Sequence, residues 1–431
     1  MAWIITLSAL CGLATSELAA QGQLAGDWHG YWLRAGDTMP VTLHVKRDSA
    51  TRAYSATFDS DRLRVTGIPF AQVTVDGCCK VVMRLQGDRT TSVFTGMLRG
   101  NGLAGEFVET ESEGGRFGFS RVRAGAKALV EREVTFRNRD VSLAGSLILP
   151  ADTGRHAAVV LVHGSGGEGR WASRFLAMKF AEHGVAALIF DKRGVGKSSG
   201  DWRTATLDDL VGDAAAAVEY LRQDPRIDPR RIGVHGHSQG GTLAPMIAVR
   251  SGNVAFLIAS AAAGAPTDST EIFSVLNSVY PNAKTAADSA DARTYTSELV
   301  AVAYHGKPRP GLDSLVSRFQ GRSWFFAPPA ADASYWSFSK VFGAFKPLDW
   351  WAQVRVPVLL IYGAADQRVP PRESATRISA ELVRNDPNAN VTVRILPDAD
   401  HTFRLPPGPS GWPVTAPDYL PTLLAWLGTR R

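Results

Sequence analysis

Positions 236–241 read Gly-His-Ser-Gln-Gly-Gly and follow directly on the short apolar stretch Arg-Ile-Gly-Val-His at 231–235. An apolar strand that runs into this turn, with the apolar stretch 243–248 as the start of a helix, places Ser238 at a strand-to-helix corner. Only small neighbours fit such a bend, and Gly236 and Gly240 stand two positions before and after the serine. The sequence therefore predicts a nucleophile at Ser238, although a glycine-rich turn with an incidental serine would have the same residues.

Two further polar residues follow strand-like segments in the C-terminal part of the chain. Asp366 comes after the apolar segment 356–363, and His401 comes after the alternating segment 391–396. Loops at the carboxyl ends of parallel strands meet at one edge of a sheet, so we expect Ser238, Asp366 and His401 to lie together. The order Ser, Asp, His along the chain is the order in which a serine hydrolase on such a sheet presents its triad.

These residue types match a nucleophile, a general base and an orienting carboxylate. His401 would take the proton of the Ser238 hydroxyl and return it to the leaving group, while Asp366 would hold the imidazole in the required tautomer. Asp398 and Asp400 compete for the last role, but side chains so close to the histidine on one short loop more often shape the turn. We therefore assign the carboxylate to Asp366.

A loop of small residues predicts the oxyanion hole. The apolar strand 157–162 ends in His-Gly-Ser-Gly-Gly at 163–167, which lets the backbone approach a substrate closely. The backbone amides of Ser165 and Gly166 would then join the amide of Gln239 as donors to a developing oxyanion. We expect the neighbouring histidines to have structural roles: His163, His235 and His237.

With these motifs the chain resembles an α/β-hydrolase of the bacterial esterase and serine-aminopeptidase-like group that carries an N-terminal β domain. The resemblance rests on 163–167, on Asp-Lys-Arg-Gly-Val-Gly-Lys-Ser-Ser-Gly at 191–200, on 236–241 and on the loops of Asp366 and His401. It implies a mostly parallel eight-stranded sheet flanked by helices, a helical cap, an acyl-enzyme intermediate, no cofactor and no metal. Esterases, peptidases, thioesterases and acyltransferases share the fold, so the substrate stays open.

Two rival motifs point to other ligands. Gly-Ser-Gly-Gly-Glu-Gly at 164–169, with Asp191 ending the next strand, has the spacing of a dinucleotide-binding fold, but this interpretation leaves the Ser238 turn unexplained. Gly-Val-Gly-Lys-Ser at 194–198 resembles the end of a phosphate-binding loop, yet the required upstream glycine is replaced by Asp191. A non-catalytic binding protein on a hydrolase scaffold is the remaining alternative.

Composition excludes some classes of partner. The chain has 431 residues, of which 45% are hydrophobic and 20% charged, and a formal net charge of +6. This excess is spread along the chain without a basic, aromatic-rich run, so we expect no nucleic-acid partner. A chain of this length is expected to contain two or more domains. We divide the chain into a signal peptide (1–20), an antiparallel β domain (21–125), the first half of the core (126–261), a helical aromatic-rich cap (262–349) and the second half of the core (350–431).

The N-terminus is apolar to Ala14, and small residues follow to Ala20. This predicts a signal peptide and export to the periplasm or the medium, although basic residues before the apolar run are missing; without cleavage the protein would be cytoplasmic. The apolar run is too short for a stable membrane span. Cys78 and Cys79 are adjacent, so they offer neither a disulfide framework nor zinc-ligand spacing.

The β domain and the cap have different patterns. Short alternating segments between positions 24 and 122 predict a small antiparallel barrel or sandwich, which could serve packing, substrate presentation or the formation of a homodimer. The cap range lacks strand character and is rich in aromatic residues, most of which would pack the cap itself. Four of them are candidates for the substrate pocket: Trp324, Phe325, Tyr335 and Trp336.

The sequence predicts an exported serine hydrolase that acts on small-molecule carboxylic esters. Aromatic walls favour apolar acyl or aryl groups. A peptidase that binds a free amino terminus is the nearest enzyme alternative, and it would need an acidic cluster in the cap. Four acidic residues are candidates for this cluster, but they are explained more simply as lying on solvent-exposed faces of helices: Glu271, Asp288, Asp291 and Glu298.

Overall fold

The structure, a computed structural model, describes residues 24–77, 79–87, 90–122 and 129–430. Over these residues the chain divides into two units, Met1–Lys127 with Pro406–Thr415 and Ala128–Leu405 with Ala416–Arg431. The predicted signal peptide and Cys78 lie outside the described residues. We predicted 350–431 as one core segment, whereas the structure assigns Pro406–Thr415 to the first unit. None of the helices in the described part of the chain is long and apolar enough to cross a bilayer.

Antiparallel strands build the first unit. They are β1 (Gly26–Arg34), β2 (Asp37–Arg47), β3 (Tyr54–Ser60), β4 (Val65–Pro69), β5 (Gln72–Asp76), β6 (Lys80–Gln86), β7 (Thr91–Arg99), β8 (Gly102–Glu109) and β9 (Gly115–Arg121). Within the described residues they form one nine-stranded sheet in the order β4-β3-β2-β1-β9-β8-β7-β6-β5. Their inward side chains, together with Trp412, make a single apolar cluster, so the sheet curves around it as a half-barrel. The predicted antiparallel β character is confirmed.

The second unit contains a mixed sheet. Its strands are β10 (Val130–Asn138), β11 (Val141–Leu149), β12 (His156–Val162), β13 (Ala186–Phe190), β14 (Ile227–His237), β15 (Phe256–Ser260), β16 (Val358–Gly363) and β17 (Val391–Leu396). Among the described residues they form an eight-stranded sheet in the order β10-β11-β13-β12-β14-β15-β16-β17. β10 and β11 form a hairpin, β11 pairs antiparallel with β13, and the strands β12 to β17 run parallel. The predicted eight-stranded, mostly parallel sheet is confirmed.

Helices cover both faces of this sheet. The helices of the second unit are α1 (Trp171–Glu182), α2 (Leu207–Gln223), α3 (Gln239–Ser251), α4 (Thr267–Val279), α5 (Ala286–His305), α6 (Pro310–Phe319), α7 (Ser334–Gly343), α8 (Pro347–Trp351), α9 (Pro371–Asn385) and α10 (Tyr419–Gly428), of which α1, α2, α3, α9 and α10 pack on the sheet. Side chains of α1 and α10 pack in one apolar cluster, and those of α2, α3 and α9 pack in another. Burial on both faces explains why β12, β13, β15 and β16 are buried at every residue and apolar except at His156 and Ser260.

The segment between β15 and β16 is helical, as its lack of strand character predicts. It holds α4 to α8 and the 3₁₀ helix Tyr280–Asn282, and we call residues 267–351 the helical insertion. Side chains from α4, α5 and α6 form an apolar cluster of their own around Tyr295 and Trp324. Two-residue strands also occur at Arg404–Leu405 (β18) and Val414–Thr415 (β19).

Candidate active site

Ser238 lies at a strained corner between β14 and α3. Its backbone angles, φ 55° and ψ −114°, are rare for a residue with a side chain. The Ser238 amide donates to the Ser260 carbonyl over 2.8 Å, and the Thr242 amide donates to the Ser238 carbonyl over 2.9 Å. A Cβ atom at Gly236 would overlap the Gly240 backbone. The glycine at position 236 therefore permits the bend that presents the serine.

The corner packs directly against the loop after β12. A Cβ atom at Gly240 would lie 2.6 Å from the carbonyl oxygens of both Val162 and His163. Only glycine allows this approach, because real Cβ atoms do not come so close to other atoms. The approach brings the first turn of α3 beside the start of the 163–167 loop, where the sequence predicts the two halves of an oxyanion hole.

Hydrogen bonds join the three predicted triad residues. His401 Nε2 lies 3.0 Å from Ser238 Oγ, and His401 Nδ1 lies 2.8 Å from Asp366 Oδ2. The Asp366 side chain is completely buried, whereas 17% of the His401 side chain is exposed. In this geometry Nδ1 donates to the carboxylate, which leaves Nε2 free to accept the proton of the serine hydroxyl.

Backbone amides hold the Asp366 carboxylate in place. Its Oδ1 accepts the amides of Arg368 at 2.7 Å and Val369 at 2.9 Å, so the second oxygen faces His401. Asp400, the competing acid, instead accepts the amides of Thr402 and Arg404, each at 2.8 Å. It shapes the loop on which His401 lies, as the sequence analysis expects of a neighbour on the same turn.

Comparison with known proteins finds related sequences over part of the chain. Residues 153–308 match the family model described as serine aminopeptidase, S33. This match covers less than half of the chain. The eight-stranded sheet, its flanking helices and the corner at Ser238 give the chain an α/β-hydrolase fold.

The relatives that match part of this chain have different names and descriptions. The quorum-quenching protein AidA of Acinetobacter baumannii is 34% identical over 25% of this chain and 36% of its own length. The thiohydrolase aneE of Aspergillus aculeatus is 35% identical over 26% of this chain and 35% of its own. The chain thus spans about a third of the length of these curated relatives. An esterase of Pyrococcus furiosus with known structure is 20% identical over 72% of this chain and 94% of its own, with a TM-score of 0.45.

The 163–167 loop makes polar contacts that its sequence did not predict. The Gly164 amide donates to Glu168 Oε2 over 2.8 Å. Lys192 Nζ donates to the carbonyls of Gly164 and Gly166 and to the Gln239 side chain. Lys192 belongs to the 191–200 motif, where an ionisable residue directly after an apolar strand could have drawn attention to it.

The other histidines near the triad have structural partners. His163 bonds the Phe190 carbonyl, and burial lowers its pKa to about 4. His235 bonds Ser260 Oγ at 3.0 Å, and burial lowers its pKa to about 3. His237 Nε2 lies 3.0 Å from the His401 carbonyl oxygen, so it supports the backbone of the triad histidine.

The four aromatic candidates for the pocket differ in exposure. Trp324 is only 2% exposed, and its Nε1 donates to Asp288 within the helical insertion. We therefore leave Trp324 out of the proposed pocket, because packing inside the insertion accounts for it. Phe325, Tyr335 and Trp336 are partly exposed.

The acidic candidates in the helical insertion differ in their partners and surroundings. Asp288 belongs to the capping box of α5, and Glu298 pairs with Lys307. Glu271 differs because burial raises the pKa of its carboxyl group, and Tyr335 is its hydrogen-bond partner. Among the described residues, no group of three or more His, Cys, Asp or Glu side chains is arranged to hold a metal ion.

Proposed function

We propose that this α/β-hydrolase is a serine hydrolase that cleaves carboxylic esters through an acyl-enzyme intermediate. The supporting observation is the continuous pair of hydrogen bonds from Asp366 through His401 to Ser238. A serine hydroxyl is a weak nucleophile at neutral pH, and an imidazole held by a buried carboxylate is the group that activates it.

The reaction would proceed in two halves. Ser238 Oγ attacks the ester carbonyl as its proton passes to His401 Nε2, and the tetrahedral adduct collapses with transfer of that proton to the departing alcohol. Water then attacks the acyl-enzyme, His401 takes one proton from the water, and the acid is released as Ser238 regains its proton. Asp366 stabilises the imidazolium in both halves.

The negative charge on the attacked oxygen requires donors that are already in place. We propose the amides of Gln239, Ser165 and Gly166 for this role. The Gln239 amide begins α3, where the first N–H groups have no intrahelical partner and the helix dipole favours negative charge. The contact of Gly240 with the carbonyls of Val162 and His163 supports a hole shared by the two loops.

The substrate is proposed to be a small ester with an apolar acyl or aryl group. The partly exposed rings of Phe325, Tyr335 and Trp336 support this choice, because aromatic walls desolvate apolar groups. An aminopeptidase is the second candidate. Glu271 favours this candidate. Burial disfavours the charged form of its carboxyl group, so the ammonium group of a substrate's amino terminus would stabilise the carboxylate. The family model that matches residues 153–308 is also described as a serine aminopeptidase.

The test compares p-nitrophenyl esters of increasing acyl length with aminoacyl p-nitroanilides, using the wild-type protein and Ser238→Ala. We expect ester hydrolysis with an optimum chain length and a loss of at least about 10⁴-fold in kcat for the folded variant. Turnover of anilides but not esters would favour the aminopeptidase. Unchanged ester hydrolysis by Ser238→Ala would refute the proposal.

A further inference from the structure

We propose that Lys192 is a positioning residue that holds the two halves of the oxyanion hole in register. This inference rests on the proposed function, since it assigns a role within the same site. Lys192 follows β13 and lies within the second unit, where its side chain reaches both the 163–167 loop and the first residue of α3.

Three oxygen atoms accept hydrogen bonds from the Lys192 ammonium group. Nζ lies 2.8 Å from the Gly164 carbonyl, 2.9 Å from the Gly166 carbonyl and 3.0 Å from Gln239 Oε1. An ammonium group has three N–H donors, so these bonds use its whole capacity. All three acceptors are neutral, and two belong to the backbone of the proposed hole.

Because the peptide group is planar, these bonds also orient the backbone amides that we propose as donors to the oxyanion. In a trans peptide the C=O of one residue and the N–H of the next point in opposite directions within one plane. Fixing the Gly164 carbonyl on Lys192 therefore directs the Ser165 amide to the opposite side of the loop. The preceding peptide is fixed as well, because the Gly164 amide donates to Glu168.

The third bond connects this loop to the nucleophile corner. Gln239 supplies the first proposed donor through its backbone, and its side chain is held by the same ammonium group that holds the loop. Gly166 has φ +88°, a conformation that glycine adopts readily, so the loop backbone has alternatives to this arrangement. The Lys192 ammonium group thus sets the distance between the Ser165 amide, on the loop after β12, and the Gln239 amide, at the start of α3.

The surroundings of Lys192 argue against a purely structural ion pair. Its flanking charges have their own partners, since Asp191 bonds Arg170 and Arg193 bonds Asp213. Lys192 itself is only 4% exposed, and burying a cation among neutral acceptors costs stability. A cavity of about 20 Å³, lined by Lys192, His163 and Gln239 among others, lies beside the contact.

Protonation of Lys192 is then coupled to catalysis. Burial lowers the pKa of its ammonium to about 8, although the carboxylates of Glu168 and Asp213 oppose the shift. The other neighbours are the Trp202 ring, 5.8 Å from Nζ, and His163, which is neutral above its pKa of about 4. A neutral amine has only two N–H donors for three acceptors. The 163–167 loop and the start of α3 are therefore held together less firmly as the pH rises through 8.

The experiment measures kcat and KM for the best p-nitrophenyl ester between pH 6 and 9.5 with Lys192→Met, Lys192→Arg and Lys197→Met. Lys197 is the matched control, because it lies in the same loop with 77% of its side chain exposed. We expect Lys192→Met to lower kcat about 100-fold with KM nearly unchanged, since loss of one oxyanion donor has an effect of this order. Lys197→Met should behave as wild type.

Lys192→Arg provides a second readout if Lys192→Met does not fold. Wild-type kcat should decrease above about pH 8, whereas the arginine variant, which does not titrate in this range, should keep a flat profile. An alkaline decrease that persists in Lys192→Arg, or a kcat for folded Lys192→Met within threefold of wild type, would overturn the inference.

Rates of Ser238 labelling by a fluorophosphonate separate this inference from the proposed function. The phosphonyl oxygen occupies the same hole, so Lys192→Met should slow labelling even if esters are not the substrate. A wild-type protein that labels but cleaves no ester contradicts the proposed function alone. Equal labelling rates in the wild type and Lys192→Met contradict the role of Lys192 alone.

Discussion

The two units of this chain use charged side chains in different ways. In the first unit, the pairs of Arg62 with Asp37 and of His44 with Asp27 and Asp59 are partly exposed to solvent. In the second unit, buried charges follow the ends of parallel strands: Asp191, Lys192, Arg193 and Asp366. Burying a charge is costly unless its bonds compensate, and the proposed catalytic site lies at the sheet edge where these charges are concentrated.

Among the variants that test this contrast between the two units, the largest effect, a loss of kcat, is expected at Asp366. Asp366→Asn preserves the shape of the side chain and its bonds from the amides of Arg368 and Val369, but it no longer favours the tautomer of His401 that accepts the serine proton. We expect kcat to fall about 10⁴-fold without loss of structure. Steady-state kinetics and circular dichroism measure the two properties.

Asp398→Asn is the control for this variant. Asp398 has φ +55°, which asparagine tolerates well, and it is one of the two acids on the histidine loop that compete with Asp366 in the sequence. Its kcat should stay within a few-fold of wild type. A severe loss in Asp398→Asn with normal activity in Asp366→Asn would show that the orienting acid is wrongly assigned.

The next effect compares one ion pair from each unit by denaturant unfolding. Arg193 and Asp213 are 7% and 3% exposed in their side chains, so Arg193→Met leaves a buried carboxylate without its cation and should lower the free energy of unfolding by about 3–5 kcal/mol. Arg62 and Asp37 are 18% and 24% exposed and form a bidentate pair, so Arg62→Met should lower the free energy of unfolding by less, about 1–2 kcal/mol. Equal losses for both variants would contradict the contrast between the units.

The smallest effect is a pH dependence of stability in the first unit. Hydrogen bonding to Asp59 raises the pKa of His44 to about 9, with Asp27 as a second partner. Because this pKa lies above the ordinary value of 6.5, the stabilisation is complete below about pH 6.5 and is lost as the pH rises through 9. Thermal unfolding from pH 6 to 10 should show this loss in the wild type, and the same slope in His44→Gln would rule out His44 as its source.

Local patterns predicted much of this molecule because each depends on neighbours in sequence. The Gly236–Gly240 spacing predicted the bend, and the apolar segment 356–363 and the alternating segment 391–396 predicted the strands before Asp366 and His401. Contacts between distant segments were harder to foresee. Lys192 is 28 residues from Gly164 and 47 from Gln239, and no spacing rule connects them. The burial of Trp324 likewise depends on how α4, α5 and α6 pack together.

Covalent labelling of Ser238 is the most direct test of the central claim. The purified protein would be incubated with a fluorophosphonate, digested and analysed by mass spectrometry, with Ser238→Ala as the control. The proposed function predicts a single adduct on the peptide that contains Ser238 and none in the variant. A folded wild-type protein that takes up no label, or that carries the label on another serine, would contradict the assignment of Ser238 as the nucleophile.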